Sequence, residues 1–260
     1  MDLAIYQIDA FANQVFEGNP AAVCPLNSWI SEEQMHLIAA ENNLSETAFF
    51  VETDSIFHIR WFTPTNEVDL CGHATLASAY VIFNELNYSR PDITFTSKSG
   101  ELIVRRNNEL LTMNFPSQPP VECELPLALK NAFKKTPLQC LRQEDYILVF
   151  ESEEDIQSAS PDLSLLRELD LRGVCITARG NSYDFVSRFF APKYGIDEDP
   201  VTGSSFTQLI PYWAEQLDSL TLNAKQISRR GGEVICELVN DRVNISGKAI
   251  KYLCGCITLK

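Results

Sequence analysis

The chain of 260 residues carries 35 acidic and 21 basic residues, a formal net charge of −14. Nucleic acid and anionic membrane surfaces are polyanions, so this charge argues against both as partners. The hydrophobic fraction of 45% allows a sizeable core, yet no stretch approaches the ~20 apolar residues of a membrane-spanning helix. The first residues show no basic segment followed by an apolar one, so we expect a cytoplasmic protein.

Short strands dominate the predicted secondary structure, and each half of the chain holds one longer apolar helix. Ser31 followed by Glu33 and Gln34 is typical of a helix start. The first half is predicted to form strands at 3–10, 47–52, 56–63, 92–97, 101–106 and 110–115, with helices at 31–42 and from Gly72 to about Phe83. The second half is predicted to form strands near 146–150, 174–178, 183–190, 233–238, 241–246 and 249–259, with a helix from Phe206 to about Ala214. This composition indicates the α+β class.

Three features of the first half return in the same order in the second half, at a spacing close to half the chain. They are an Arg-aromatic-Phe run that ends in proline, a glycine that opens a helix, and a Thr-Ala pair. The matched pairs are 60–64 with 188–192, Gly72 with Gly203, and Thr47-Ala48 with Thr177-Ala178. Such order favours duplication of one structural unit over coincidence among common patterns.

The segment 114–120 contains three prolines and is the predicted linker between the two halves. The predicted halves are therefore residues 1–115 and 121–260. The last strand is the one element that we leave free to cross to the other half.

The two glycine turns are candidate anion sites, because a helix start exposes unpaired backbone N–H groups. Gly72 opens one such turn and Gly203 opens the other. Each turn alone is equally well explained as an ordinary N-cap, with Thr202 and Ser204 as capping hydroxyls in the second. The recurrence of the turn at equivalent places favours an anion site.

Three titratable residues near these turns are candidates for proton transfer. His73 follows Gly72, and imidazole is the usual acid or base near neutral pH, although a lone histidine is often structural. Glu46 stands at the entrance of an apolar strand, where a partly desolvated carboxylate is a usable proton shuttle and a solvated one is not. Asp199 lies in an acidic run and either orients an imidazole or faces water.

Cysteines, histidines and glycines match no cofactor motif. The eight cysteines are expected to be reduced, and the three histidines match no zinc-ligand spacing, so we predict no metal. No nucleotide-binding glycine motif is present, so we predict no cofactor. Cys71 raises a two-thiol racemase as an alternative, but the loop around Gly203 contains no second cysteine, which disfavours it.

The ordered set of these motifs resembles the phenazine-biosynthesis (PhzF-like) family, which shares its fold with diaminopimelate epimerase. The matching segments run along nearly the whole chain. They are 8–11, 16–24, 44–49, 60–64, 67–75, 189–192, 199–204, 230–233 and 246–249.

The resemblance implies two domains of similar fold, each a mostly antiparallel sheet wrapped around a central helix, with the active site between them and a homodimer as the assembly. It implies a small carboxylate-bearing substrate and no cofactor. It implies Glu46 as the proton-transferring group and His73 and Asp199 as a polar pair that orients the substrate. The implied substrate-binding residues are Asn19, Gly72, Gly203 and Ser204.

Carried over to this chain, the family's chemistry is an isomerisation that moves a proton on an unsaturated carboxylate. The sequence departs from the family at Phe206, where members often have a histidine, and this change alters the polarity expected near the substrate. Two alternatives stay open. One is an amino- or hydroxy-acid racemase or epimerase that uses Cys71 or Glu46, and the other is a catalytically silent relative that binds a carboxylate.

Overall fold

The computed structural model describes residues 1–259, and these residues form two compact units. The first unit comprises Met1–Asn114 together with the chain from Ser246 onward, and the second comprises Phe115–Ile245. The C-terminal segment, assigned by sequence to the half 121–260, thus belongs with the first unit. Its place is set by strand β18 (Ala249–Thr258), which pairs antiparallel with β1 (Asp2–Ala10) along the whole length of β1.

The first unit contains nine strands and two helices among its described residues. Between β1 and β18 its elements are β2 (Asn19–Leu26), α1 (Glu32–Asn42), β3 (Glu46–Thr53), β4 (Ile56–Phe62), β5 (Glu67–Val68), α2 (Gly72–Asn84), β6 (Asp92–Ser97), β7 (Gly100–Asn107) and β8 (Leu110–Pro116). The predicted helix at 31–42 is confirmed, and Ser31 and Gln34 form a reciprocal capping box at its start.

The second unit also mixes strands with short helices. Its elements are β9 (Val121–Glu122), α3 (Leu127–Ala132), β10 (Gln139–Arg142), β11 (Tyr146–Val149), α4 (Glu153–Ser158), α5 (Leu163–Leu166), β12 (Val174–Arg179), β13 (Phe185–Ala191), β14 (Ile196–Asp199), α6 (Phe206–Leu217), β15 (Thr221–Gln226), β16 (Gly232–Val239) and β17 (Arg242–Gly247). No helix within residues 1–259 is both long and apolar enough to cross a membrane.

The two units repeat one succession of strand pairings, which confirms the internal repeat. In the first unit β2 and β3 are parallel, β3 and β4 antiparallel, β4 and β6 parallel, and β6 and β7 antiparallel. In the second unit the same alternation runs through β11, β12, β13, β15 and β16. The α+β class is likewise confirmed.

One of the three sequence matches is out of register. Arg60 stands opposite Phe49 in the first unit, and Arg188 stands opposite Ile176 in the second. With these arginines superposed, Phe49 corresponds to Ile176, so Thr47 corresponds to Val174 and not to Thr177. The Thr-Ala match at 47–48 and 177–178 is therefore wrong, because a two-residue identity in a strand is too short to fix register.

Helix α2 is the centre of the first unit. All its residues except Gly72, Tyr80 and Asn84 are buried, and it packs against strands β1, β2 and β3. A helix that is apolar on all sides needs such enclosure, since no face of it suits water. The same enclosure fixes the start of the helix, which carries the residues of the candidate site.

Helix α6 contains Pro211, yet the helix continues without interruption to Leu217. Proline has no N–H group, so it leaves the carbonyl of Thr207, one helical turn earlier, without its usual donor. The backbone N–H of Gln118, in the predicted linker, donates to that carbonyl at 2.9 Å. The linker segment thereby satisfies the group that the proline leaves free.

Candidate active site

Four buried side chains of the first unit meet at the start of α2. His73, in the first turn of α2, has its Nε2 atom 2.9 Å from Oε2 of Glu46, the first residue of β3. On the other side of the ring, Nδ1 lies 3.3 Å from the amide nitrogen of Asn19, the first residue of β2. Cys71 Sγ lies 3.6 Å from the same Nδ1 atom. The parallel pairing of β2 with β3 brings Asn19 and Glu46 to one edge of the sheet.

Glu46 is a buried carboxylate whose hydrogen bonding is incomplete. The residue is only 8% exposed. Its Oε2 atom lies at ion-pair distance from His73 but makes no hydrogen bond of ordinary geometry. Buried carboxylate oxygens normally have a donor, so an oxygen without one is available to a ligand proton.

The start of α2 keeps its backbone N–H groups free of a side-chain cap. Cys71 occupies the N-cap position and makes no capping hydrogen bond. The hydroxyl of Thr75 points back and donates to the Cys71 carbonyl at 2.6 Å. The turn at Gly72 therefore presents uncapped amides beside Glu46 and His73, as an anion site requires.

Burial and charge together shift the titration of this cluster. Burial raises the pKa of the Cys71 thiol above 9.0, and the adjacent Glu46 carboxylate adds to that rise. Burial alone lowers the pKa of His73, but the neighbouring Cys71 sulfur and Glu46 carboxylate raise it well above 6.5. Because the raised pKa of Cys71 keeps its thiol protonated at neutral pH, Glu46 is the remaining neighbour that raises the pKa of His73.

We expect His73 to remain an imidazolium well above pH 6.5, as measured by the ¹⁵N shifts of its ring nitrogens. A raised folded-state pKa means that the His73–Glu46 pair stabilises the fold fully below pH 6.5, and that this stabilisation fades as the pH rises through the folded pKa. In Glu46→Gln the His73 pKa should fall, because the compensating charge is gone. A wild-type His73 that titrates near 6.5, unchanged by Glu46→Gln, would contradict this assignment.

The second unit carries the other predicted site residues at the end of β14 and in the turn before α6. Thr202 donates its hydroxyl to the Asp199 carboxylate at 2.5 Å, and Ser204 accepts from Nη1 of Arg172 at 2.9 Å. Thr202, the N-cap of the short 3₁₀ turn Gly203–Ser205, makes no side-chain capping bond. The alternative of ordinary capping hydroxyls is thus wrong for this turn, since both hydroxyls have other partners.

Arg172 and Asp145 form an ion pair beside Ser204 that the sequence did not reveal. Asp145 is fully buried and binds the Arg172 guanidinium through two hydrogen bonds of 2.9 and 2.6 Å. Gln208, from α6, donates to the same carboxylate at 2.7 Å and accepts from the Asp145 backbone N–H. Neither residue stands in a recognisable sequence motif. Their contact is formed only by the tertiary fold, so the spacing of the residues in the sequence does not predict it.

Phe206 is an interior residue of the second unit. It is fully buried, and its ring lies 6.1 Å from that of Phe185. Where family members often have a histidine, this chain has an apolar side chain that faces the core. The second loop consequently lacks an imidazole at that position.

An arginine clamp precedes each loop and is the structural counterpart of the sequence repeat. Arg60 binds Glu67, in β5, through bonds of 2.7 and 2.8 Å, and this contact lowers the pKa of Glu67 to about 2. Arg188 binds Glu198, in β14, through bonds of 2.7 and 3.0 Å. Each guanidinium also lies 5.1 Å from the Phe ring two positions along, Phe62 or Phe190. The clamps hold the short strands from which the two loops begin.

Comparison with known proteins identifies the family. The model of the phenazine biosynthesis-like proteins (PhzC–PhzF) matches residues 8–255. The chain belongs to this family. An uncharacterised isomerase of Pseudomonas aeruginosa is 48% identical over 259 residues, with both chains fully covered.

Solved structures agree with this membership. A PhzF family protein of Enterococcus faecalis is 45% identical, covers both chains fully and superposes with a TM-score of 0.98. A probable proline racemase of Agrobacterium radiobacter is 7% identical, covers 99% of this chain and 93% of its own, and has a TM-score of 0.66, a likeness of fold alone. The chain is thus an isomerase of the PhzF-like family on the fold that epimerases and racemases share.

Within this family member, the predicted site residues fall into two groups. Asn19, Glu46 and His73 meet beside Gly72 in the first unit. In the second unit, Asp199 ends β14, and Gly203 and Ser204 lie in the turn that follows it. That all seven serve one substrate stays a prediction.

Proposed function

We propose that this PhzF-like isomerase moves a proton between two carbons of a small unsaturated carboxylate, with Glu46 as general base and then general acid. The observation that carries the proposal is the state of Glu46. Its carboxylate is buried, lies 2.9 Å from His73 Nε2, and keeps Oε2 without a hydrogen bond. A buried carboxylate with an oxygen that lacks a hydrogen bond is suited to take a proton from carbon.

The reaction proceeds in two proton transfers. Glu46 takes a proton from a carbon next to the unsaturated system, and the electron pair of the broken C–H bond moves into that system and onto an oxygen. The neutral Glu46 then returns the proton to a different carbon, which shifts the double bond. His73, protonated beside Glu46, lies near the negative charge as it develops.

The backbone amides at Gly72 are proposed to stabilise the developing oxyanion, because they carry no side-chain cap. Ser204 and the turn at Gly203 are assigned to the substrate carboxylate. Arg172 occupies a lone pair of the Ser204 oxygen, which leaves the Ser204 proton as the group that is presented to a ligand. Asp199 accepts a hydrogen bond from the Thr202 hydroxyl and so helps to hold the same turn in place.

A racemase remains the second candidate, because Cys71 lies in the same cluster, with its Sγ atom 3.6 Å from Nδ1 of His73. When Gly72 is matched with Gly203 in the sequence, Thr202 falls at the position of Cys71, so the second loop offers no matching thiol. The raised pKa of Cys71 also keeps its thiol protonated at neutral pH. These features favour a mechanism through one carboxylate over one through two thiols.

The proposal is tested by NMR of the purified protein with a panel of small unsaturated and α-amino carboxylates in heavy water. The proposal expects a shifted double bond, with or without deuterium at the new carbon, since a shielded proton returns without exchange. Exchange of the α-proton on a saturated amino acid, without a shifted double bond, would favour the racemase instead. Saturable binding of a panel member without any conversion would favour the silent carboxylate-binding relative.

A further inference from the structure

Glu46, Cys71 and His73 offer three different metal-ligand atoms in one buried cluster. A carboxylate oxygen, a thiol sulfur and an imidazole nitrogen lie within 4.8 Å of one another. Zinc is bound in proteins by these three donor types, and zinc centres with an exchangeable ligand use three protein ligands and one open position. The cluster therefore matches zinc in donor chemistry as well as in number.

The cluster must rearrange to enclose an ion, with the largest movement at Cys71. Bond lengths of about 2.0–2.3 Å in a tetrahedral site place ligand atoms roughly 3.3–3.6 Å apart. Here His73 Nε2 lies 2.9 Å from Glu46 Oε2 and 3.9 Å from Cys71 Sγ. One distance is slightly short and the other slightly long, and all three donor atoms lie within 4.8 Å of one another. Cys71 Sγ is nearer to Nδ1, at 3.6 Å, than to Nε2, so binding at Nε2 requires the Cys71 side chain to move towards that nitrogen.

The hydrogen bonding of Glu46 also points to a ligand. Its Oε2 atom is buried and without a hydrogen-bond partner, and it faces the nitrogen that would share the ion. A buried acceptor left open at the centre of a donor set is a position that a cation satisfies.

The far side of the imidazole faces the Asn19 amide, which supports a zinc-bound histidine once its oxygen is turned towards Nδ1. Histidine that binds a metal through one nitrogen usually donates the other N–H to an oxygen. Nδ1 of His73 faces the side-chain amide of Asn19, whose other end contacts the Ser45 hydroxyl at 3.2 Å. The Ser45 hydroxyl both donates and accepts, so the Asn19 amide can turn its oxygen towards Nδ1.

We propose that this cluster is a zinc site, with Glu46, Cys71 and His73 as ligands and a fourth position open to water or a carboxylate. Binding replaces the thiol proton of Cys71, and the Nε2 proton of His73 when it is charged, and both protons go to solvent. The ion binds the Glu46 oxygen that takes the proton in the proposed reaction. Zinc therefore inhibits proton transfer and is not a cofactor for it. Sequence spacing missed the site because Glu46 lies far upstream of the other two ligands.

The test measures metal binding alone, so its failure is distinct from failure of the proposed isomerisation. The exposed pair Cys254 and Cys256 is first removed as C254S and C256S, because exposed thiols bind zinc adventitiously. In this background, Zn²⁺ is titrated in competition with a chromophoric chelator. C71A is compared with C24A, which removes a buried thiol of the same unit outside the cluster.

We expect one Zn²⁺ per chain in the background protein and in C24A, with affinity at least about tenfold lower in C71A, since loss of even a supporting partner costs 10–100-fold. Co²⁺ should give a thiolate-to-metal absorption band that disappears in C71A. If C71A fails to fold, H73Q provides the same comparison. Absence of stoichiometric binding, or equal affinity in the ligand variant and C24A, would overturn the proposal.

Discussion

Replacement of Glu46 with Gln is expected to lower kcat by a factor of about 10²–10⁴, the usual contribution of a general acid or base. Glutamine keeps the length of the side chain and its place beside His73, but its amide takes no proton from carbon. Because the shape of the site is retained, we expect a much smaller change in KM than in kcat. Steady-state kinetics on the substrate found in the NMR panel measures both constants.

The matched control for this prediction is Glu41→Gln, an exposed glutamate in helix α1 of the same unit. It removes the same charge without touching the cluster, so its kcat should stay within about twofold of the wild type, as expected for a solvated surface charge. Equal losses in the two variants would mean that general electrostatics, and not proton transfer by Glu46, explains the effect.

The second large effect is expected on stability, from Asp145→Asn in the second unit. Breaking a buried ion pair from one side costs about 3–5 kcal/mol, because the remaining charge stays desolvated. The Arg172 side chain is 29% exposed, so we expect the lower end of that range. Loss of the Gln208 contact and of the support for Ser204 should follow from the same substitution.

Urea unfolding measures this free energy, with Glu144→Gln as the matched control. Glu144 also contacts Arg172, at 3.2 Å, but its side chain is 42% exposed. Its removal should cost about 0–1 kcal/mol, as is usual for exposed pairs. A cost for Asp145→Asn no greater than that of Glu144→Gln would show that the buried pair does not support this loop.

The elements that the sequence predicted are those whose local pattern agrees with the fold. The capping box at Ser31 and the apolar run after Gly72 mark helix starts that the structure confirms. Strand β2 was missed because Pro20 and Pro25 interrupt its pattern. It forms nonetheless, since its buried residues pack against α2 and pair with strands on both sides.

Candidate residues were predictable where a motif carries them, and their contacts were not. Glu46 and His73 were selected by their places at a strand entrance and a glycine turn. That they lie 2.9 Å apart follows from the pairing of β2 with β3 and from the burial of α2, which are tertiary features. Arg172 had no signal at all, because its partner Asp145 lies 27 positions away in the sequence.

The most direct test of proton transfer by Glu46 is chemical rescue of Glu46→Gly, with folding checked by circular dichroism. Removal of the side chain leaves space at the His73 end of the cluster for a small carboxylic acid. We expect turnover to be lost in this variant and to be restored saturably by added formate. Glu46→Gln should not be rescued by formate, because its amide fills the space. Turnover by Glu46→Gly at the wild-type rate without any added carboxylate would contradict the account.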